Sequence, residues 1–132
     1  MRFICKLLMV TYNEYVKKIL VQIIDSYKIL QEVNDRPGDL ENIKKELLKI
    51  NGFLKVISNK VDAEKIPASD FKTVQSKSLH YLENYYFEKE IETMTPLYSN
   101  DVNRVKNMRL KILEALEDRK MIEEIKELIE KI

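Results

Sequence analysis

Residues 39–61 read DLENIKKELLKINGFLKVISNKV. Within them Leu40, Ile43, Leu47, Ile50, Leu54, Ile57 and Val61 recur at alternating steps of three and four. Such steps return side chains to one face of a helix, whereas a strand would alternate every second residue. Asp39 stands where a cap would open this helix. The seam has coiled-coil spacing and the minimum length for one, but the core face of an antiparallel bundle carries the same pattern. That bundle is the favoured reading. Gly52 falls off the seam, at a cost of about 1 kcal/mol relative to Ala, with close approach of another helix as one explanation.

Upstream, Asn34-Asp35-Arg36-Pro37-Gly38 is a turn, because Pro presets φ and Gly accepts left-handed angles. Before it, Tyr12, Tyr15, Val16, Ile19, Leu20, Ile23, Tyr27 and Leu30 share one helical face. Thr11 and Glu14 have the S/T-x-x-E spacing of a capping box, so this helix is expected to start at Thr11 and run to about Val33.

Downstream, residues 62–70 contain Pro67 and form the longest irregular stretch, with Ser69 or Asp70 as the next cap. A third helix starts near Phe71 with Val74, Tyr81, Leu82, Tyr85 and Tyr86 toward one side, while Phe87, Ile91 and Met94 point nearly opposite. This helix is either covered on both sides or broken near Tyr86. Thr95-Pro96 is expected to end it, and Ser99 to Asp101 to cap a fourth helix faced by Val102, Val105, Ile112, Leu113 and Leu116. Past Asp118, Met121, Ile122, Ile125, Leu128, Ile129 and Ile132 lie ~160° from where a straight continuation would place them. Either a break near Glu117–Arg119 makes 118–132 a separate C-terminal helix, or a C-terminal extension packs on a second surface, with another copy of the chain as one source of it.

The whole-chain counts agree with this pattern. In 132 residues there are 2 glycines and 3 prolines, too few to punctuate the turns of a sandwich, barrel or doubly wound sheet. With 45% hydrophobic and 34% charged residues, disordered and collagen-like classes are excluded too. The expectation is an all-α, single-domain antiparallel bundle of four to five helices spanning 1–132.

In the segment Met1–Val10, Arg2 fits a minimal n-region of a leader, but Lys6 interrupts the apolar run and no small-x-small cleavage site follows. It reads as an accessory arm, or as sequence upstream of a start at Met9. Cys5 alone cannot form an internal disulfide, and it reads as a small apolar residue. No run reaches the ~18–20 uncharged apolar residues that span a bilayer, so the expected location is cytoplasmic.

Chemistry-bearing groups are sparse. His80 is the one histidine, and His80-x-x-Glu83 occurs once, whereas a di-iron bundle needs Glu-x-x-His on two helices. Glu83, Glu88, Glu90 and Glu92 read as a solvated face, and Tyr81, Tyr85, Tyr86 and Phe87 as core before base-stacking groups. Two glycines cannot build a phosphate-binding loop. No catalytic, cofactor, metal or small-molecule substrate site is expected.

The net charge of 23 Lys plus Arg against 22 Asp plus Glu gives nucleic-acid binding little support. In the basic segment 104–111, Arg104 and Lys111 share one side while Lys106 and Arg109 lie well around from them. Arg109 sits on the edge of the apolar face. It reads either as a snorkelling stem or as one half of a buried ion pair, with a carboxylate from the acidic end of the third helix as the example partner.

The functional expectation is a non-enzymatic helical protein-interaction module of adaptor, regulator or immunity/antitoxin-like type that binds a protein partner or itself. A nucleic-acid-binding regulator using 104–111 is the alternative. The candidate partner-binding residues are the two displaced apolar faces, Phe87, Ile91 and Met94, and Ile122, Ile125 and Ile129.

Overall fold

The computed structural model describes the backbone of residues 2–132 and the side chains of residues 11–132. Its helices are α1 (Arg2–Glu32), α2 (Asp39–Asn59), α3 (Phe71–Asn84), α4 (Phe87–Tyr98), α5 (Val102–Glu117) and α6 (Met121–Lys131). Short 3₁₀ turns lie at Ala63–Lys65 and Asp118–Lys120, and there is no strand among the described residues. The chain is an all-α, single-domain bundle, with six α-helices among the described residues where four to five were expected. The extra count comes from splitting the expected third helix into α3 and α4, and from α6 beyond the break.

The seam of α2 is the centre of the molecule. Leu40, Ile43, Leu47, Ile50, Leu54 and Ile57 are each 1% exposed or less. They are covered by α1 and α3, with α4 and α5 closing the remaining side. Burying each such side chain contributes roughly 1.5–3 kcal/mol. Val16, Leu20, Ile23 and Leu30 of α1, Phe71 and Val74 of α3 and Val105, Ile112 and Leu116 of α5 complete one continuous core.

Helices α1 and α2 run antiparallel. The turn at residues 33–38 joins their near ends, while Tyr12 Oη accepts a hydrogen bond at 2.8 Å from the Asp62 amide just past the far end of α2. Two positions of the turn have left-handed backbone, Asp35 at φ 61° and Gly38 at φ 94°. Asp is one of the few side chains that accepts this region, and Gly meets no Cβ penalty. Gly38 occupies the N-cap and Asp39 the first helical position. The expected cap therefore acts backward: the Asp39 carboxylate accepts from the Arg36 amide at 2.8 Å and also places negative charge at the helix N-terminus.

Two boundaries differ from the sequence reading. Helix α1 runs from Arg2, so Thr11 and Glu14 lie inside it and are not a helix start. The side chains of the 1–10 arm, Cys5 and Met9 among them, lie outside the described residues. Pro96 does not end α4, which continues to Tyr98. Its missing N–H costs one bond, to the carbonyl of Glu92, and both residues face solvent. Of the two expected arrangements of the third helix, the break near Tyr86 is the one found: Tyr85 is extended and Tyr86 leaves helical geometry. The chain turns there, and the opposite-pointing Phe87 and Ile91 come back onto the same core.

The break after Glu117 lies within Asp118–Lys120. Arg119 and Lys120 are both left-handed, at φ 57° and 60°. Each costs roughly 1–2 kcal/mol for a residue with a Cβ. The reorientation returns Met121, Ile122, Ile125 and Leu128 to the core against α1, α3 and α5. Lys77 of α3 clamps the bend by donating to the Arg119 carbonyl at 2.6 Å and pairing with Glu124. Tyr27 of α1 donates to the Glu117 carboxylate, and Gln75 of α3 donates to the carbonyls of Ile57 and Val61 at the end of α2.

Candidate functional site

The two apolar faces expected to meet a partner are covered by the chain itself. Phe87, Ile91, Ile122 and Ile125 are buried in the core, and only Met94 and Ile129 remain half-buried at its edge. The reason lies in the two breaks. A straight helix would leave its second face outside, but the bends at Tyr85–Tyr86 and Asp118–Lys120 rotate each face inward. Neither face is left as a continuous exposed apolar surface, although Phe87 and Met94 line clefts at the α3–α4 junction.

Arg109 is the half-buried member of its segment. Its guanidinium forms a two-point contact with Asp35, Nε to Oδ1 at 2.8 Å and Nη2 to Oδ2 at 2.9 Å. Nη1 donates to the Leu30 carbonyl at 3.2 Å, one of the orphan acceptors at the end of α1. The side chains are 11% and 8% exposed. The partner comes from the α1–α2 turn and not from the acidic end of the third helix. The Asp35 hydrogen bonds raise the already high pKa of Arg109, so the guanidinium stays charged. It holds the fold together rather than facing a ligand.

The rest of the basic segment is largely engaged as well. The Arg104 guanidinium lies 3.9 Å over the Tyr98 ring and 3.3 Å from Asp101, and Lys111 pairs with Glu90 at 3.2 Å. His80 is half-buried with its Nδ1 3.1 Å from the Asn84 amide nitrogen, while Glu83 faces solvent. Among the described residues no three His, Cys, Asp or Glu side chains gather as a metal site, and no helix is long and apolar enough to cross a membrane.

The aromatic run at the α3–α4 junction forms the most distinctive surface. Tyr85 and Phe87 stack at 5.4 Å between centroids and 16° between planes, and Tyr81 packs 5.7 Å from Tyr85. Tyr81 Oη donates at 2.8 Å to Asn51 Oδ1, and Asn51 Nδ2 donates at 3.0 Å to Glu88. Burial, and then the charge of Glu88, pushes the Tyr81 phenol well above its ordinary value, so it stays a neutral donor. This chain ties α2, α3 and the first turn of α4 together and fixes the backbone around residues 85–87.

The residue this frame displays is Tyr86, 70% exposed. Three clefts meet at it. One of about 420 Å³ is walled by Tyr85, Phe87 and Ala115 and rimmed by Glu90, Glu114 and Asp118. A second of about 540 Å³ lies against Asn51, Lys55, Leu82 and Glu88, and a third of about 350 Å³ runs to Thr93 and Met94. An exposed aromatic side chain thus stands between apolar walls and a polar rim, beside packed neighbours Tyr85 and Phe87. The sequence reading placed Tyr86 toward the core. The signal that separates it is the run of three aromatics, since consecutive residues of a helix cannot all face one side.

Compared with protein-family models, with curated proteins and with solved structures, the chain shows no match.

Proposed function

We propose that this chain is a non-enzymatic helical module that binds a protein partner through the α3–α4 junction, with Tyr86 as the central anchor. The observation that carries the reading is the meeting of three clefts at one tyrosine that is 70% exposed. A partner's apolar side chains fill the walls beside Tyr85 and Phe87. Its polar groups meet Lys55, Lys89 and Glu92 on the rim. Tyrosine suits this role because it offers large contact area at the entropy cost of two side-chain torsions.

The test compares wild-type protein with Tyr86→Ala and Tyr86→Glu as bait in extracts of the source cells. A protein recovered by the wild type and lost, by about tenfold or more, with both variants supports the reading. Equal recovery by all three baits overturns it. Because Tyr86 is mostly solvent-exposed, both variants are expected to keep the wild-type fold, which circular dichroism checks.

A further inference from the structure

Helix α5 carries a further surface, which shares Glu114 with the rim of one cleft at Tyr86. Lys106, Leu110 and Glu114 are spaced four residues apart, so they form one outward stripe ordered cation, apolar, anion. All three are exposed, Leu110 by 45%. None has a hydrogen-bond or ion-pair partner among the described residues, in contrast to Arg104, Arg109 and Lys111 on the same helix. Lys106 and Glu114 are separated by about 12 Å of helix axis at 1.5 Å per residue, too far for the two to satisfy each other. They differ in this from the i,i+4 pairs that decorate ordinary solvated helices.

The order of the stripe reads the same after a twofold rotation with charges exchanged. A second copy of α5 laid antiparallel, with the axis through Leu110, places Leu110 on Leu110 and each Lys106 opposite the other copy's Glu114. We infer that α5 is a self-association face, and that its occupant is a second copy of this chain in a symmetric dimer. A closed twofold contact of this kind uses one patch twice, so every favourable pair occurs twice. The polar flanks, Asn103 and Asn107, face the same way and add no like charge. With one apolar residue per copy at its centre, the contact is small and electrostatically steered. It therefore forms a weak dimer whose strength falls with added salt.

The test uses purified full-length protein and sedimentation velocity from roughly 10 μM to 1 mM, at low and at high salt. The expected result is a concentration-dependent dimer at low salt that dissociates at high salt. Lys106→Glu and Glu114→Lys each turn two attractions into two repulsions, weakening self-association by about tenfold or more. Mixing the two variants in equal amounts restores a dimer, because one then carries two anions and the other two cations on the stripe. The double variant K106E/E114K restores it as well, since its charges are exchanged but still complementary. A wild-type protein that stays monomeric to the highest concentration overturns the proposal. So do single variants that dimerise as the wild type does, or a mixture that stays monomeric. These outcomes are read in molecular mass; because Glu114 also rims one cleft at Tyr86, partner recovery is compared only with Lys106→Glu, whose position lies outside all three clefts.

Discussion

Arg109 on α5 grips Asp35 in the α1–α2 turn through both edges of its guanidinium, across 74 residues of sequence. Its third contact, to the Leu30 carbonyl, closes the end of α1. One arginine thus joins a helix terminus, a left-handed turn residue and a helix from the other half of the chain. Breaking such a pair from one side leaves a buried charge without compensation. Arg109→Met and Asp35→Asn are each expected to lower stability by about 3 kcal/mol in urea unfolding. Asn accepts the left-handed angle of position 35, so the second variant reports the lost charge rather than backbone strain. The double variant is expected to recover a large part of the loss. Strictly additive losses would show that the two residues act independently.

The ion pair between Lys131 near the end of α6 and Asp70 at the start of α3 supplies a pH dependence. The Lys131 hydrogen bond holds the Asp70 carboxyl below its ordinary 3.8, and Asp70 holds the Lys131 ammonium above 10.5. For the depressed carboxylate, stability is present above the unfolded value and is lost as pH falls through the lower folded one. For the raised ammonium, it is present below the unfolded value and is lost as pH rises through the higher folded one. The contact is therefore complete between the two ordinary values and fades outside them. Asp70→Asn is expected to flatten both limbs of the stability curve, measured as unfolding midpoint against pH. Limbs unchanged by the substitution would assign the dependence to other groups.

Gly52 lies on the exposed side of α2, and a Cβ built there meets no atom within 4 Å. Close helix approach is therefore not what keeps a glycine at this position. Gly52→Ala is expected to raise stability by about 1 kcal/mol, because Ala reduces the freedom of the unfolded chain and fills open space. Thermal unfolding reads the gain as an upward shift of a few degrees, and a downward shift would contradict it.

Lys120 presents the opposite case. It is exposed and has a Cβ, yet its φ is 60°. Lys120→Gly removes the left-handed penalty and is expected to stabilise the protein by about 1 kcal/mol in urea unfolding. The same substitution at Lys126, in the middle of α6, is expected to destabilise by a similar amount. That pair of opposite signs distinguishes a local backbone effect from a general response to losing a lysine.

The helices were legible wherever apolar spacing was regular. The α2 seam, the α1 stripe and the phase change after Asp118 are all products of local geometry, which depends only on neighbours in sequence. The ends of helices were less legible. Thr11–Glu14 has capping-box spacing within a continuous helix, because the signature records what a cap would need and not whether the chain turns there. Pro96 ended no helix, because the single bond it removes lies on a solvent-facing side. The candidate site was read least well: Phe87, Ile91, Ile122 and Ile125 are apolar by sequence, but a monomer's core and a partner's surface ask for the same side chains.

By itself, then, the sequence determined the all-α class, the central position of residues 40–57 and the membership of most of the core, since periodicity is a property of the local chain. Tertiary structure alone decided what covers each face. The bends at Tyr85–Tyr86 and Arg119–Lys120 contain neither glycine nor proline, and they carry two apolar faces inward and leave Tyr86 outside. Their angles are set by the energy of burying the apolar faces of α4 and α6, a term that exists only once distant helices have met. The same holds for Arg109, whose partner is chosen by proximity in space across the bundle and leaves no mark in the spacing of residues.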